Sequence, residues 1–184
     1  EVLWPEPGAS YAVIARREEG IAIIDTALVE SPVVAGSLDT PGLASGVAMD
    51  GKTAWVADGP AGIHQMDFVD PSAARITATL DTPGDASGIV LDNGYLYVAD
   101  GSRGLTVVDA RNPAALSIVG ALDTPGSAKG VAVVGDLACV ADDSRGISLI
   151  RIGNPAAPVF AGRYDTPGRA VSVAMAGGYA YVAD

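Results

Sequence analysis

Carboxylates are the one chemistry-bearing group that recurs at fixed spacing along this sequence. Asp39, Asp81, Asp123 and Asp165 each open an Asp-Thr-Pro-Gly tetrapeptide, and each lies 42 residues after the last. A second set keeps the same step: Asp58, Asp100 and Asp142 close Trp55-Val56-Ala57-Asp58, Tyr97-Val98-Ala99-Asp100 and Cys139-Val140-Ala141-Asp142, and Tyr181-Val182-Ala183-Asp184 continues it. If both sets reach one face they form an acidic rim, which is the candidate ligand-binding site. Several carboxylate and carbonyl oxygens together suit a hard cation such as Ca²⁺, or a cationic ligand. The competing reading is local: each Asp caps its own turn and recurs because the unit recurs. The alternating acids of a calcium loop are absent. No metal ligand is therefore assigned, and Ca²⁺ stays open as an alternative to no cofactor.

Other reactive groups are few. Arg16, Arg17, Arg103 and Arg145 fall in the same loop set as the acids, either in surface ion pairs or as a grip for a carboxylate. His64 is the single histidine. It sits inside a strand pattern with no nucleophile elbow in the sequence, so no Ser-His-Asp arrangement and no catalytic residue is assigned. A histidine-based metal site needs more such ligands. Cys139 is the single cysteine and takes the place of Trp55, Tyr97 and Tyr181 in the other units. It reads as a small buried hydrophobe. The glycine-rich turns lack phosphate-loop spacing, and no Asn-x-Ser/Thr acceptor occurs.

The elements that hold these residues follow from the period. Within residues 85–126, Ile89-Val90-Leu91, Tyr95–Ala99, Leu105–Asp109 and Leu116–Leu122 read as strands. They are separated by Asp92-Asn93-Gly94, by Asp100–Gly104 and by Arg111-Asn112-Pro113, and Asn-Gly is a strong hairpin signal. The first two strands are apolar on both faces, so the sheet must be covered on both sides. Radial stacking of four-stranded blades achieves this. The alternative, a solenoid, runs parallel on shorter repeats.

The chain is therefore expected to be all-β, a propeller of four-stranded antiparallel blades. Ala48, Val90, Ala132 and Ala174 would line the narrow axis. Ala15, Ala57, Ala99, Ala141 and Ala183 would mark close approach between blades. In Thr-Pro-Gly, a type II turn is expected, with positive φ at Gly. Gly20, Gly62, Gly104 and Gly146 open the third strand, where positive φ is also expected.

Composition narrows the partners. Net charge is −11, with 22 acidic and 11 basic side chains, which argues against nucleic acid and against an anionic membrane surface. At 49% hydrophobic and 18% charged, the chain has ample core and is not disordered. No apolar run reaches the ~18 residues of a membrane span. The start, Glu1-Val2-Leu3-Trp4-Pro5-Glu6, lacks a signal-peptide pattern.

Third strands such as Ile21-Ala22-Ile23-Ile24-Asp25 and Leu105-Thr106-Val107-Val108-Asp109, with the Val-Ala-Asp, Asn-Pro and Thr-Pro-Gly columns, make residues 11–184 resemble the LVIVD-repeat β-propellers. The resemblance implies a bladed propeller on an exported or surface-associated protein, and thus an extracellular, cell-surface or periplasmic setting. It brings no catalytic signature, so the chain is expected not to be an enzyme. Ile63-His64-Gln65-Met66-Asp67, with its polar interior, and Arg151, where an Asp closes other third strands, depart from the pattern.

Residues 1–10 read as a linker, cap or decayed strand, and 11–184 as repeats (17–58, 59–100, 101–142, 143–184). Three closures fit the phase of the ends. The chain is an arc of a larger, perhaps seven-bladed, propeller; or residues 17–38 complete the last sheet; or another chain completes the ring. The arc is preferred, because unpaired strand edges invite association. Three functions compete: a non-enzymatic binding or scaffold module for a protein or glycan; a domain or subunit of a larger, possibly membrane-associated complex; and a hydrolase with its site in the axial funnel. Trp4, Trp55, Phe68 and Tyr164 are candidate anchors for a partner.

Overall fold

Both faces of nearly every inner and middle strand are covered, as their unbroken apolar runs require. In a computed structural model of the protein, residues 2, 3 and 11–184 are described. The first sheet orders β1 (Val2–Leu3), β2 (Tyr11–Ala15), β3 (Ile21–Asp25) and β4 (Val33–Leu38). The second holds β5 (Gly46–Asp50), β6 (Thr53–Ala57), β7 (Ile63–Asp67) and β8 (Arg75–Leu80). The third holds β9 (Ala86–Asp92), β10 (Tyr95–Asp100), β11 (Leu105–Asp109) and β12 (Ser117–Leu122). The fourth holds β13 (Gly130–Val134), β14 (Leu137–Ala141), β15 (Ile147–Arg151) and β16 (Val159–Tyr164), and β17 (Ser172–Ala176) pairs β18 (Tyr179–Ala183) in the fifth. All pairings are antiparallel between sequence neighbours. The chain is an all-β propeller array. No helix among the described residues is long and apolar enough to cross a membrane.

Val2 and Leu3, within the stretch read as linker, cap or decayed strand, pair with Ile14 and Val13. Glu1 and residues 4–10, Trp4 among them, lie outside the described residues. Residues 17–38 belong to the first sheet through β3 and β4, so they do not complete the fifth. The short Arg16–Gly20 loop, with the Arg16 N–H donating to Gly20 O at 2.8 Å, keeps β3 beside β2. Sheets change at the Thr-Pro-Gly segments, so a window such as 59–100 takes the two outer strands of one sheet and the two inner strands of the next.

Local turns follow the residues that make them, with one exception. Asn93 and Gly94 have φ of 48° and 79°, and Tyr95 faces Asp92, which is the two-residue hairpin that Asn-Gly favours. Gly20, Gly62, Gly104 and Gly146 have φ between 66° and 77°, as expected. The Thr-Pro-Gly segments are not type II turns, because none of Gly42, Gly84, Gly126 and Gly168 has positive φ. Space explains those glycines instead. A Cβ on Gly42, Gly84 or Gly126 would lie 2.1, 2.1 or 2.0 Å from the carbonyl oxygen of Asp58, Asp100 or Asp142.

Successive sheets are glued by apolar clusters. Val13, Ile21 and Ile23 meet Val47, Val56 and Met66 between the first and second. Trp55, Ala57 and Ile63 meet Ile89, Leu96 and Val108 between the second and third. Tyr97, Ala99 and Leu105 meet Val131, Val140 and Ile150 between the third and fourth. Cys139, Ala141 and Ile147 meet Ala170 and Val173 at the fifth. Ala57, Ala99 and Ala141 are fully buried there. Ala99→Leu is expected to overpack this seam and destabilise the chain by roughly 1–3 kcal/mol. Thermal unfolding checks it, and an unchanged midpoint would contradict the placement.

Candidate functional site

The second-strand aspartates turn out to be structural anchors. Asp58, Asp100 and Asp142 are wholly buried at the ends of their strands. Each accepts a hydroxyl hydrogen bond from the threonine of the Thr-Pro-Gly segment that feeds its own sheet: Thr40 to Asp58 at 2.7 Å, Thr82 to Asp100 at 2.8 Å, Thr124 to Asp142 at 2.7 Å. The Gly42 and Gly126 N–H groups donate to the second oxygen of Asp58 and Asp142 at 2.8 and 3.1 Å. A residue of the third strand supplies a further partner: Thr106 donates to Asp100 and Ser148 to Asp142, each at 3.0 Å. In the second sheet His64 takes that place, its Nε2 3.0 Å from Asp58 and its Nδ1 2.9 Å from the Thr79 hydroxyl. The fifth sheet repeats the motif, with Thr166 donating to Asp184 and the Gly168 N–H reaching it at 2.7 Å.

A carboxylate removed from water is tolerable only when its oxygens are filled with donors, and these are. Asp58, Asp100 and Asp142 therefore do not sit on an open rim. Asp39, Asp81, Asp123 and Asp165 are exposed, and their carboxylates accept no hydrogen bond among the described residues. They cannot bond two residues on, because that residue is proline. The N–H groups of Gly42 and Gly126, which might have served Asp39 and Asp123, are turned to the buried Asp58 and Asp142. The structure thus brings both sets to one end of the sheets but leaves only one at the surface. Among the described residues no group of three or more His, Cys, Asp or Glu is placed to hold a metal ion.

What opens at that end is a pair of axial cavities. The inner strands meet there so closely that a Cβ on Gly88 would lie 2.9 Å from Gly130 Cα, and one on Gly46 would lie 2.8 Å from Ser87 O. That glycine column narrows the axis, and the alanine column read from the sequence missed it. Of the predicted axial residues, Ala48 is buried in the blade interface and Ala174 is exposed. One cavity, of about 300 Å³, is lined by Ser87, Gly88, Lys129, Gly130 and Ser172 among others. The other, of about 510 Å³, shares Ser45, Ser87, Lys129 and Val171 with it and adds Arg17 and Asp85. Much of the lining comes from residues just after each Thr-Pro-Gly, where the units vary: Leu43 and Asp85 from one column, and Ser45, Ser87, Lys129 and Val171 from another.

The charged groups at this mouth are only partly paired. Arg169 donates to Asp143 through Nε at 2.5 Å and Nη2 at 2.8 Å, and these bonds hold the Asp143 carboxyl below its usual range. Successive units are stitched here by short backbone bridges, Arg17 with Ala44, Gly59 with Ala86, Gly101 with Ala128 and Asp143 with Ala170. The first residue of each bridge has φ between 53° and 62°. Arg17 bears its side chain in a conformation that favours glycine. No carboxylate among the described residues lies within ion-pair distance of Arg17 or Lys129.

The remaining candidates have structural jobs. Arg16 pairs with Glu19 at 3.0 Å. Arg103 and Arg145 lay their stems against Gly84 and Gly126. Cys139 is buried, and burial pushes its thiol up to about 11. Trp55 and Phe68 are buried between sheets, whereas Tyr164 is 67% exposed. In the departing strand, Gln65 Oε1 and the cross-strand Trp55 Nε1 are buried without a hydrogen-bond partner among the described residues.

A family model for the LVIVD repeat matches residues 83–124, 125–166 and 167–184. No curated protein matches the chain. Among solved structures, a chain of a nidogen/laminin complex superposes with a TM-score of 0.68 at 18% identity, over 95% of this chain and 68% of that one. A functionally unknown protein from Desulfotomaculum acetoxidans DSM 771 gives 0.74 at 19%, over 95% and 59%. The computationally designed Ika8 protein gives 0.73 at 6%, over 98% and 54%. The chain thus spans between about half and about two thirds of these structures, and at such identities the likeness is one of fold.

Asp100→Ala is expected to strand the Thr82 and Thr106 hydroxyls and to cost about 2–4 kcal/mol, lowering the melting temperature by roughly 5–15 °C. Asp81→Ala, at the exposed position, is expected to change stability by less than about 0.5 kcal/mol. Parallel thermal melts decide, and equal effects at the two sites would contradict the division of roles.

Proposed function

Because the chain belongs to the LVIVD-repeat family, we propose that it is a non-enzymatic β-propeller module of an exported or surface-associated protein, which binds a protein or glycan partner at the axial mouth of its blades. The observation that carries this reading is where the units stop being alike. Thr-Pro-Gly recurs unchanged in all four copies, while the column three residues on from each Gly (Ser45, Ser87, Lys129 and Val171) varies and lines the axial cavities. A uniform frame with a varied mouth is the arrangement of a recognition surface on a rigid scaffold. The nidogen/laminin structure, a protein complex of similar fold, supports a protein partner for such a surface.

Chemistry favours binding over catalysis. Neither axial cavity is lined by a histidine or a cysteine. The histidine is 2% exposed and spends its ring nitrogens on Asp58 and Thr79. The cysteine thiol, pushed up by burial, is held away from the thiolate form a nucleophile needs. The exposed Asp39, Asp81, Asp123 and Asp165 border the same end and would repel acidic strangers at low salt.

Immobilised chain, exposed to an extracellular extract, is expected to retain a partner that Asp85→Arg or Leu43→Arg releases and Val29→Ser, on the outer edge, does not. Capture indifferent to both mouth substitutions, or hydrolytic turnover by the purified chain, would overturn the proposal.

A further inference from the structure

The axial mouth carries positive charge on a chain whose net charge is −11. Among the described residues, Arg17 and Lys129 line the larger cavity with one acid, Asp85, and Lys129 also acts on the Asp143 carboxyl. The neighbouring Arg169 is already neutralised by Asp143. At physiological salt, charges beyond ~8 Å are screened. A group inside the cavity therefore answers to these few residues rather than to the acidic surface as a whole.

Two further features bear on the ligand. Ser45 and Ser87 donate their hydroxyl protons to the carbonyl oxygens of Leu43 and Asp85 at 2.9 and 3.1 Å. Their oxygens are thereby turned into acceptors, alongside the Asp85 carboxylate. Among the described residues no aromatic side chain lines either axial cavity. The site thus offers two cations for an anion and several acceptors for hydroxyl donors. Arg17, meanwhile, holds φ of 59° where two other units have glycine, and a side chain kept in a costly conformation points to a use for that side chain.

Resting on the binding-module reading above, we infer that the axial cavity takes the carboxylate of an acidic sugar. Lys129 and Arg17 hold the carboxylate, and Asp85, Ser45 and Ser87 accept from the sugar hydroxyls. The larger cavity, at about 510 Å³, has the capacity of a small-ligand pocket. An acidic peptide would satisfy the cations but has fewer hydroxyl donors for the acceptors.

Calorimetric titration of the 184-residue chain with trigalacturonate, triglutamate and maltotriose tests this. Trigalacturonate is expected to bind at least about tenfold more tightly than either of the others. Lys129→Ala is expected to weaken it about tenfold, and Lys129→Arg to stay within about threefold. Arg17→Gly is expected to weaken binding while leaving the melting temperature equal or higher, so that loss of binding cannot be laid to misfolding. Equal or tighter binding of triglutamate would assign the site to acidic peptides and overturn the sugar. Equal binding of maltotriose, no binding of any probe, or indifference to Lys129→Ala would overturn the inference outright. A macromolecular partner captured equally well by wild type and Lys129→Ala would leave the binding-module reading standing and remove only this one.

Discussion

A buried carboxylate with every oxygen filled holds this architecture together. In each sheet from the second onward, an Asp at the end of the second strand binds the threonine of the segment that arrives from the previous sheet. In three of the four it also binds the glycine N–H of that segment, and in three it meets a side chain of the third strand. One side chain thus fixes the crossing between blades and the spacing of two strands within a blade. The requirement is mutual. Without those donors the carboxylate could not remain out of water, and without the carboxylate the threonine and third-strand hydroxyls would be buried unpaired. The glycine after proline belongs to the same device, since any side chain there would strike the carbonyl oxygen of the anchoring Asp.

This anchoring sits beside buried contacts between the sheets. Ala57, Ala99 and Ala141, one residue before each Asp, let the next sheet approach. Apolar contact supplies the attraction between sheets. The polar anchor sets which residues meet. The first sheet shows the consequence of losing the acid: Arg16 stands at its position and turns to the Glu19 carboxylate and to the carbonyl oxygens of Glu19 and Ile21.

Much of the fold was legible because its signals are local and repeated. The alternation of apolar runs with Asn-Gly and Asp-x-x-x-Gly breaks located the strands of residues 85–126 to within a few residues. The site was less legible. Asp58 and Asp39 look alike in sequence, and only the fold sets one against Thr40 and the other in water. The turn type at Thr-Pro-Gly was misread because proline followed by glycine has two explanations, backbone φ and close approach, and the second depends on a carbonyl 16 residues away in the chain. His64 looked like an intruder in an apolar strand, yet it fills the place that Thr106 and Ser148 take elsewhere. The signal for the axial cavities was present, as the columns after Thr-Pro-Gly where the units diverge, but their shared facing direction appears only in three dimensions.

The anchor is tested most directly by amide hydrogen exchange. If the buried aspartates clamp the incoming segments, the Gly42 and Gly126 N–H groups, though in loops, should exchange as slowly as central-strand amides such as that of Val98. Exchange as fast as that of the open hairpin residue Gly51 would contradict the account.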